Sequence, residues 1–142
     1  MITALDSSVL LDVLIDDPRH GPASVEALRR ARRAGALVVC PIVWAELRPF
    51  FPDDRRMRDV LAAALVEFDP FDEEAANLAG ATWQRYRRQG GQRTRLVADF
   101  LIAAHAQVRA GRLLTRDRGF FRRYFEQLEL IEPAGRATAP PV

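Results

Sequence analysis

Not one lysine occurs among the chain's 21 basic residues; all are arginine. Every mechanism that relies on a lysine amine is thereby excluded, including the Walker-type phosphate loop, Schiff-base chemistry and the lysine-dependent phosphoryl-transfer sites of receiver-like and haloacid-dehalogenase-like domains. Cysteine is nearly missing as well. The single Cys40 excludes an internal disulfide and any multi-cysteine zinc site, and at a strand end it reads as a small buried hydrophobe. The two histidines, His20 and His105, are too isolated to suggest a ligand pair or a general base. Long apolar runs are absent: the longest, Ala36 to Ala45, is interrupted by Pro41 and falls far short of the roughly 20 residues that span a bilayer. The start carries Asp6 and Asp12 inside its apolar stretch and has no basic n-region, so it does not read as a signal peptide, and a cytoplasmic protein is expected.

What remains is an ordinary globular composition, 49% hydrophobic and 28% charged over 142 residues, enough for one domain with one core. The formal charge of +2 understates the surface, because any carboxylates sequestered around a cation leave the arginines in larger excess. Such an exterior favours a phosphate-bearing partner.

Short apolar runs alternate with helical patterns along the chain. Strands are expected at Ile2 to Leu5, Leu37 to Cys40, Val66 to Asp69, Leu113 to Thr115 and Leu128 to Ile131. Helices are expected from Val9, over Pro22 to Arg33, from Pro41 through Phe50, over Arg55 to Leu65, from Asp72 to Arg88, up to Gly111, and over Phe120 to Phe125. This order predicts an α/β fold with a short parallel central sheet and helices on both faces, residues 1–132 forming the domain and 133–142 a loose Pro-rich tail. In such sheets ligands bind at the edge where the strands' carboxyl ends meet.

The stretch from Leu96 to Ala106 is a helix apolar nearly all round, and Asp99 sits within it between Ile102, Ala103 and Ala106. A carboxylate there is costly unless it is paired, hydrogen-bonded or bound to a metal. Three more acids fall just after expected strands. Asp6 follows the first strand directly, Asp117 follows the strand ending at Thr115, and Glu46 follows the second strand on a helix whose buried apolar stripe includes it by angle. Singly, each has an ordinary explanation: an N-cap for Asp6, a salt bridge for Glu46, helix-dipole stabilisation for Asp99 and a turn for Asp117. Jointly, they converge on one sheet edge. Ionised carboxylates about 5 Å apart repel by roughly 3 kcal/mol per pair at an effective dielectric of 20, and a divalent cation reverses that sign. All-oxygen ligands suit Mg²⁺ or Mn²⁺, and the reaction that fits is metal-dependent phosphodiester hydrolysis.

The motifs Leu5-Asp6-Ser7-Ser8-Val9-Leu10-Leu11, Val43-Trp44-Ala45-Glu46-Leu47, Asp99-Phe100-Leu101-Ile102-Ala103-Ala104 and Leu114-Thr115-Arg116-Asp117 occur in this order. In them the sequence resembles a PIN-domain ribonuclease of the VapC toxin type, over roughly Ile2 to Ile131. The resemblance implies a PIN-like three-layer sandwich. It also implies RNA cleavage with Mg²⁺ or Mn²⁺ held by Asp6, Glu46, Asp99 and Asp117, a homodimer, and inhibition by a small VapB-like antitoxin. Ser8 departs from the asparagine often found at that position in the family.

Around these acids, Ser8 and Thr115 are either capping and turn residues or hydroxyls that orient water or phosphate. Arg85, Arg87, Arg88, Arg93 and Arg95 gather before the Asp99 helix; with Arg116 and Arg118 they form either helix-end charges or an RNA-backbone clamp. Asp12 is expected at the solvent face, and Trp44, Trp83 and Tyr86 in the core or a dimer face. A non-catalytic RNA-binding or scaffold domain with the same fold is the alternative to the nuclease.

Overall fold

The computed structural model describes residues 1–91 and 97–134. Among them, strands β1 (Ile2–Leu5), β2 (Ala36–Val39), β3 (Val66–Phe68), β4 (Arg112–Leu114) and β5 (Glu129–Ile131) form one sheet in the order β3-β2-β1-β4-β5. Every pairing is parallel, with Ala4 aligned to Val38 on one side and to Leu113 on the other. Seven helices cover it: α1 (Ser7–Leu14), α2 (Gly21–Ala34), α3 (Pro41–Leu47), α4 (Asp54–Ala63), α5 (Glu73–Arg88), α6 (Val97–Arg109) and α7 (Arg118–Tyr124). Right-handed crossovers require α1 to α4 on one face and α5 to α7 on the other, because the chain steps outward from β1 to β3 and then returns across β1 to β4. No described helix is long and apolar enough to cross a membrane.

The expected elements are present, with shifts at their ends that have local causes. Helix α3 stops at Leu47 and tightens into a 3₁₀ turn over Arg48–Phe50 instead of continuing to Phe50. Pro49 lacks the amide that would donate to the Ala45 carbonyl and continue the ladder, although Arg48 itself keeps α-helical geometry. Helix α1 begins at Ser7, directly after β1, rather than at Val9. The expected tail lies outside the described residues from position 135 onward.

Leu5, Val9, Val39, Val43, Leu113 and Leu114 meet in the core, each almost wholly buried. Helix α6 is buried along Phe100, Ile102, Ala103, Ala104, His105 and Ala106, as its apolar circumference predicts. Phe100 anchors an aromatic cluster, with ring centroids 5.3 Å from Tyr86 and from Phe120 and 6.1 Å from Tyr124 and from Phe125.

The α2–β2 junction turns on Gly35, whose φ of 157° is a conformation that side chains rarely adopt. A Cβ there would run into the Met1 carbonyl, which accepts the Ala36 amide at 3.0 Å and starts the β1–β2 pairing. Gly35→Ala is expected to cost about 1–3 kcal/mol, read as a lower urea midpoint with an unchanged slope.

Candidate active site

The strand order reverses between β1 and β4, and the crevice at their carboxyl ends is where an open parallel sheet binds ligands. Asp6 follows β1 there, and its amide donates to the Leu114 carbonyl at 3.0 Å, tying it to the end of β4. The residue is 8% exposed, and its side chain makes no capping bond to α1. Instead, Asp6 Oδ2 accepts from Thr115 Oγ1 at 2.6 Å and from Ser8 Oγ at 3.4 Å. Burial pushes the Asp6 carboxyl above the usual range; hydrogen bonds from Thr115, the Ser7 amide and Ser8 oppose that, and the charge of Asp117 adds to it.

Thr115 closes the loop. Its hydroxyl, while donating to Asp6, accepts the Asp117 amide at 2.9 Å, so the turn after β4 is held against the end of β1. Asp117 is the half-buried N-cap of α7 and makes no capping bond. Ser8 accepts the Arg116 amide at 3.4 Å. Both hydroxyls singled out in the sequence thus bind at the acidic crevice.

Glu46 and Asp99 arrive from α3 and α6, helices that touch each other. Glu46 Oε2 accepts from Ser7 Oγ at 3.1 Å. Partial burial at the crevice mouth, and then the negative charges of Asp6 and Asp99, push the Glu46 carboxyl up against the pull of Ser7. The four acids therefore share one electrostatic neighbourhood: Glu46 feels Asp6 and Asp99, and Asp6 feels Asp117. Asp99 lies half-buried in the first turn of α6.

Glu46 was expected inside a buried stripe, but the structure exposes it at the mouth of the crevice. Helix α3 is too short to carry a wide stripe, and only Val43 and Leu47 of it are buried. Asp12 corrects the expectation in the opposite direction. It is 2% exposed and bound by Arg116 and by Ser24 from α2. The Arg116 guanidinium is accordingly held by Asp12, while Arg118 stands 3.9 Å from Glu132. Arg93 and Arg95 lie outside the described residues. Ser7 was not singled out beside Ser8, although a hydroxyl directly after Asp6 at the start of a helix is placed to reach the crevice.

Cys40 follows β2 as the N-cap of α3 beside these acids, and burial, reinforced by Glu46 and Asp6, pushes its thiol up to about 11. It is no thiolate nucleophile near neutral pH. The donors that remain are carboxylate and hydroxyl oxygens, a hard set that fits a divalent cation such as Mg²⁺ or Mn²⁺, whose charge would offset the acids' mutual repulsion. As placed, no three acidic, histidine or cysteine groups among the described residues form a ready-made cage for an ion.

A model of the PIN domain matches residues 3–126. The chain belongs to the PIN-domain family. PIN domains are generally nucleases that use divalent metal ions, so the acidic crevice of this PIN domain sits in a hydrolase fold. No curated protein matches the sequence. Solved structures share the fold: VapBC2 from Rickettsia felis bound to a DNA fragment from its promoter has a TM-score of 0.73 at 20% identity, covering 93% of this chain and 98% of that one. DNA-bound VapBC from Salmonella typhimurium gives 0.71 at 18% identity over 94% and 99%. VapBC-1 from nontypeable Haemophilus influenzae gives 0.70 at 20% identity over 93% and 98%.

A second polar cluster, which the sequence left unpaired, joins β3 to α6. His105 Nε2 lies 2.7 Å from Asp69 Oδ2, and Arg109 holds the same carboxylate through Nε at 3.0 Å and Nη2 at 3.1 Å. The Arg109 bonds, assisted by His105, hold Asp69 below the usual carboxylate range, while burial pushes His105 below its usual value despite Asp69. As pH falls below about 6.5 the unfolded chain takes up the histidine proton before the folded one, so His105 contributes less stability in acid. The stability of the wild type relative to His105→Gln is expected to fall from about pH 6.5 downward, measured by urea unfolding of both proteins at pH 7.5 and 5.5.

Proposed function

We propose that this PIN domain is a divalent-cation-dependent endoribonuclease, with Mg²⁺ or Mn²⁺ held by Asp6, Glu46, Asp99 and Asp117. It acts in the cytoplasm as the toxin of a type II toxin–antitoxin pair, VapC-like, dimeric, and silenced by a VapB-like antitoxin. The observation that carries the reading is Asp6, a carboxylate buried at the strand-order reversal, hydrogen-bonded by Thr115 and facing the charges of other acids. Structural neighbours drawn from toxin–antitoxin complexes support the antitoxin partner.

A bound cation would neutralise charge on a phosphodiester and activate water toward phosphorus. The chain's own part is to arrange its donors. Thr115 and Ser8 fix the Asp6 carboxylate, Ser7 fixes Glu46 at the mouth, and α6 carries Asp99 on a rigid buried helix. Arg118, with Arg93 and Arg95, is assigned to the RNA backbone.

The test is cleavage of a structured RNA by the purified protein, with Mg²⁺, with Mn²⁺ and with a chelator. Cation-dependent cutting that a co-expressed antitoxin-like product of a neighbouring small reading frame suppresses supports the reading. RNA binding with no cutting under any cation favours the non-catalytic alternative.

A further inference from the structure

Asp12 and Arg116 take no place in the acid set, yet they pair a buried carboxylate with a guanidinium whose side chain is 36% exposed. Asp12 projects from α1 into a space closed by α2 and by the turn after β4, and its side chain is 3% exposed. A carboxylate so placed is costly unless its oxygens are fully engaged. Three donors engage them. Arg116 Nε lies 2.7 Å from Oδ2, Arg116 Nη2 donates to Oδ1 at 2.9 Å, and Ser24 Oγ donates to Oδ2 at 2.8 Å. The guanidinium is therefore bound through two nitrogens to both oxygens, an arrangement that fixes orientation as well as distance.

We propose that Asp12 and Arg116 are positioning residues that lock the Thr115–Asp117 turn against α1, setting Asp117 and Thr115 relative to Asp6, and that Arg116 acts in this way rather than as an RNA contact. The proposal rests on the nuclease reading above. Arg116 lies between Thr115, which holds Asp6, and Asp117, which faces it. The backbone of the same turn is fastened independently, since Ser8 accepts the Arg116 amide and Thr115 accepts the Asp117 amide. Side chain and backbone together hold a three-residue turn to a helix 104 positions away in sequence. Without the guanidinium anchor the turn keeps the Thr115–Asp6 bond to the end of β1, but its tie to α1 is reduced to the bond from the Arg116 amide to Ser8, which at 3.4 Å is long. Groups behind a cation site that orient its ligands commonly change cation affinity or turnover by about 10- to 100-fold when removed.

The test compares the wild type with Asp12→Asn and Arg116→Lys. Asparagine keeps an acceptor for Ser24 and loses the charge; lysine keeps the charge and loses the two-nitrogen fork. Three quantities are measured: amide hydrogen exchange at 115–118 in the cation-free protein, Mn²⁺ affinity by calorimetry, and kcat and KM for RNA at saturating Mn²⁺. The expected result is about 10-fold faster exchange confined to the turn, Mn²⁺ binding weakened about 10-fold, kcat lower by a similar factor and KM for RNA unchanged. Arg116→Lys is expected to show the smaller defect, and it remains informative should Asp12→Asn fold poorly. If Arg116 instead touched RNA, Arg116→Lys would raise KM with Mn²⁺ affinity intact, and Asp12→Asn would tighten RNA binding by freeing the guanidinium; either result overturns the proposal. Wild-type exchange, Mn²⁺ affinity and turnover in both variants also overturn it while leaving the nuclease standing. A wild type that neither binds Mn²⁺ nor cuts RNA removes the nuclease reading and the positioning role together.

Discussion

Asp99→Asn is expected to lower cation-dependent RNA cleavage by roughly 10²–10³-fold, the loss that follows when one charge-stabilising group is taken from a site. Helix α6 and its packing should survive, because asparagine has the same shape and α6 is held by Phe100, Ile102, Ala103, Ala104 and Ala106 rather than by the carboxylate. Far-ultraviolet circular dichroism and the urea slope check the fold, and initial rates on one RNA at several Mg²⁺ concentrations check the activity. A rate equal to that of the wild type would remove Asp99 from the site. Excess cation is not expected to rescue a carboxylate that is gone, whereas it would rescue a mere weakening of affinity.

Phe100→Ala acts on the other side of the same helix. Phe100 is fully buried, and its ring meets Tyr86, Phe120, Tyr124 and Phe125, so truncation leaves a cavity bounded by rings that cannot all collapse into it. A cost of about 3–5 kcal/mol is expected, a large share of the stability of a domain this size. The same cluster joins α5, α6 and α7, so the α6 end bearing Asp99 and the α7 end bearing Asp117 should loosen together. Thermal unfolding measures the first effect. Hydrogen exchange at low temperature, where the variant still folds, measures the second. Phe100→Leu, which keeps most of the volume, should recover more than half of the loss.

These residues also mark how far the sequence alone reaches. Asp99 was legible because a lone carboxylate interrupts an apolar helix, and Asp6 and Asp117 because parallel sheets bring post-strand residues to one edge. The sheet and its helices followed from the alternation of short apolar runs with 3.6-residue patterns. Pairings across long separations were not legible. Asp12 reads as a solvent-facing acid until Arg116, 104 residues on, is folded against it. His105 reads as isolated until Asp69 is brought beside it. Glu46 was placed in a buried stripe by its helical angle, but the angle fixes a direction and not what covers it; a short α3 leaves that face at the rim. The end of α3 has a local cause that the apolar pattern running through Phe50 hides: Pro49 has no amide to continue the ladder.

In the proposed nuclease, the acids at the strand-order reversal repel one another until a cation joins them. Asp6 shows this most directly, because burial and the charge of Asp117 push its carboxyl up and its ionised form therefore burdens the cation-free fold. An acid whose folded pKa is raised costs stability above that pKa, so removing its charge should stabilise the protein near neutral pH. The decisive measurement is the melting temperature of the wild type and Asp6→Asn, each with and without Mn²⁺. A crossing is expected, with Asp6→Asn melting higher than the wild type in chelator, by about 2–4 °C, yet gaining little from Mn²⁺ while the wild type gains more and overtakes it. Equal Mn²⁺-induced shifts in the two proteins, or no shift in the wild type, would contradict it.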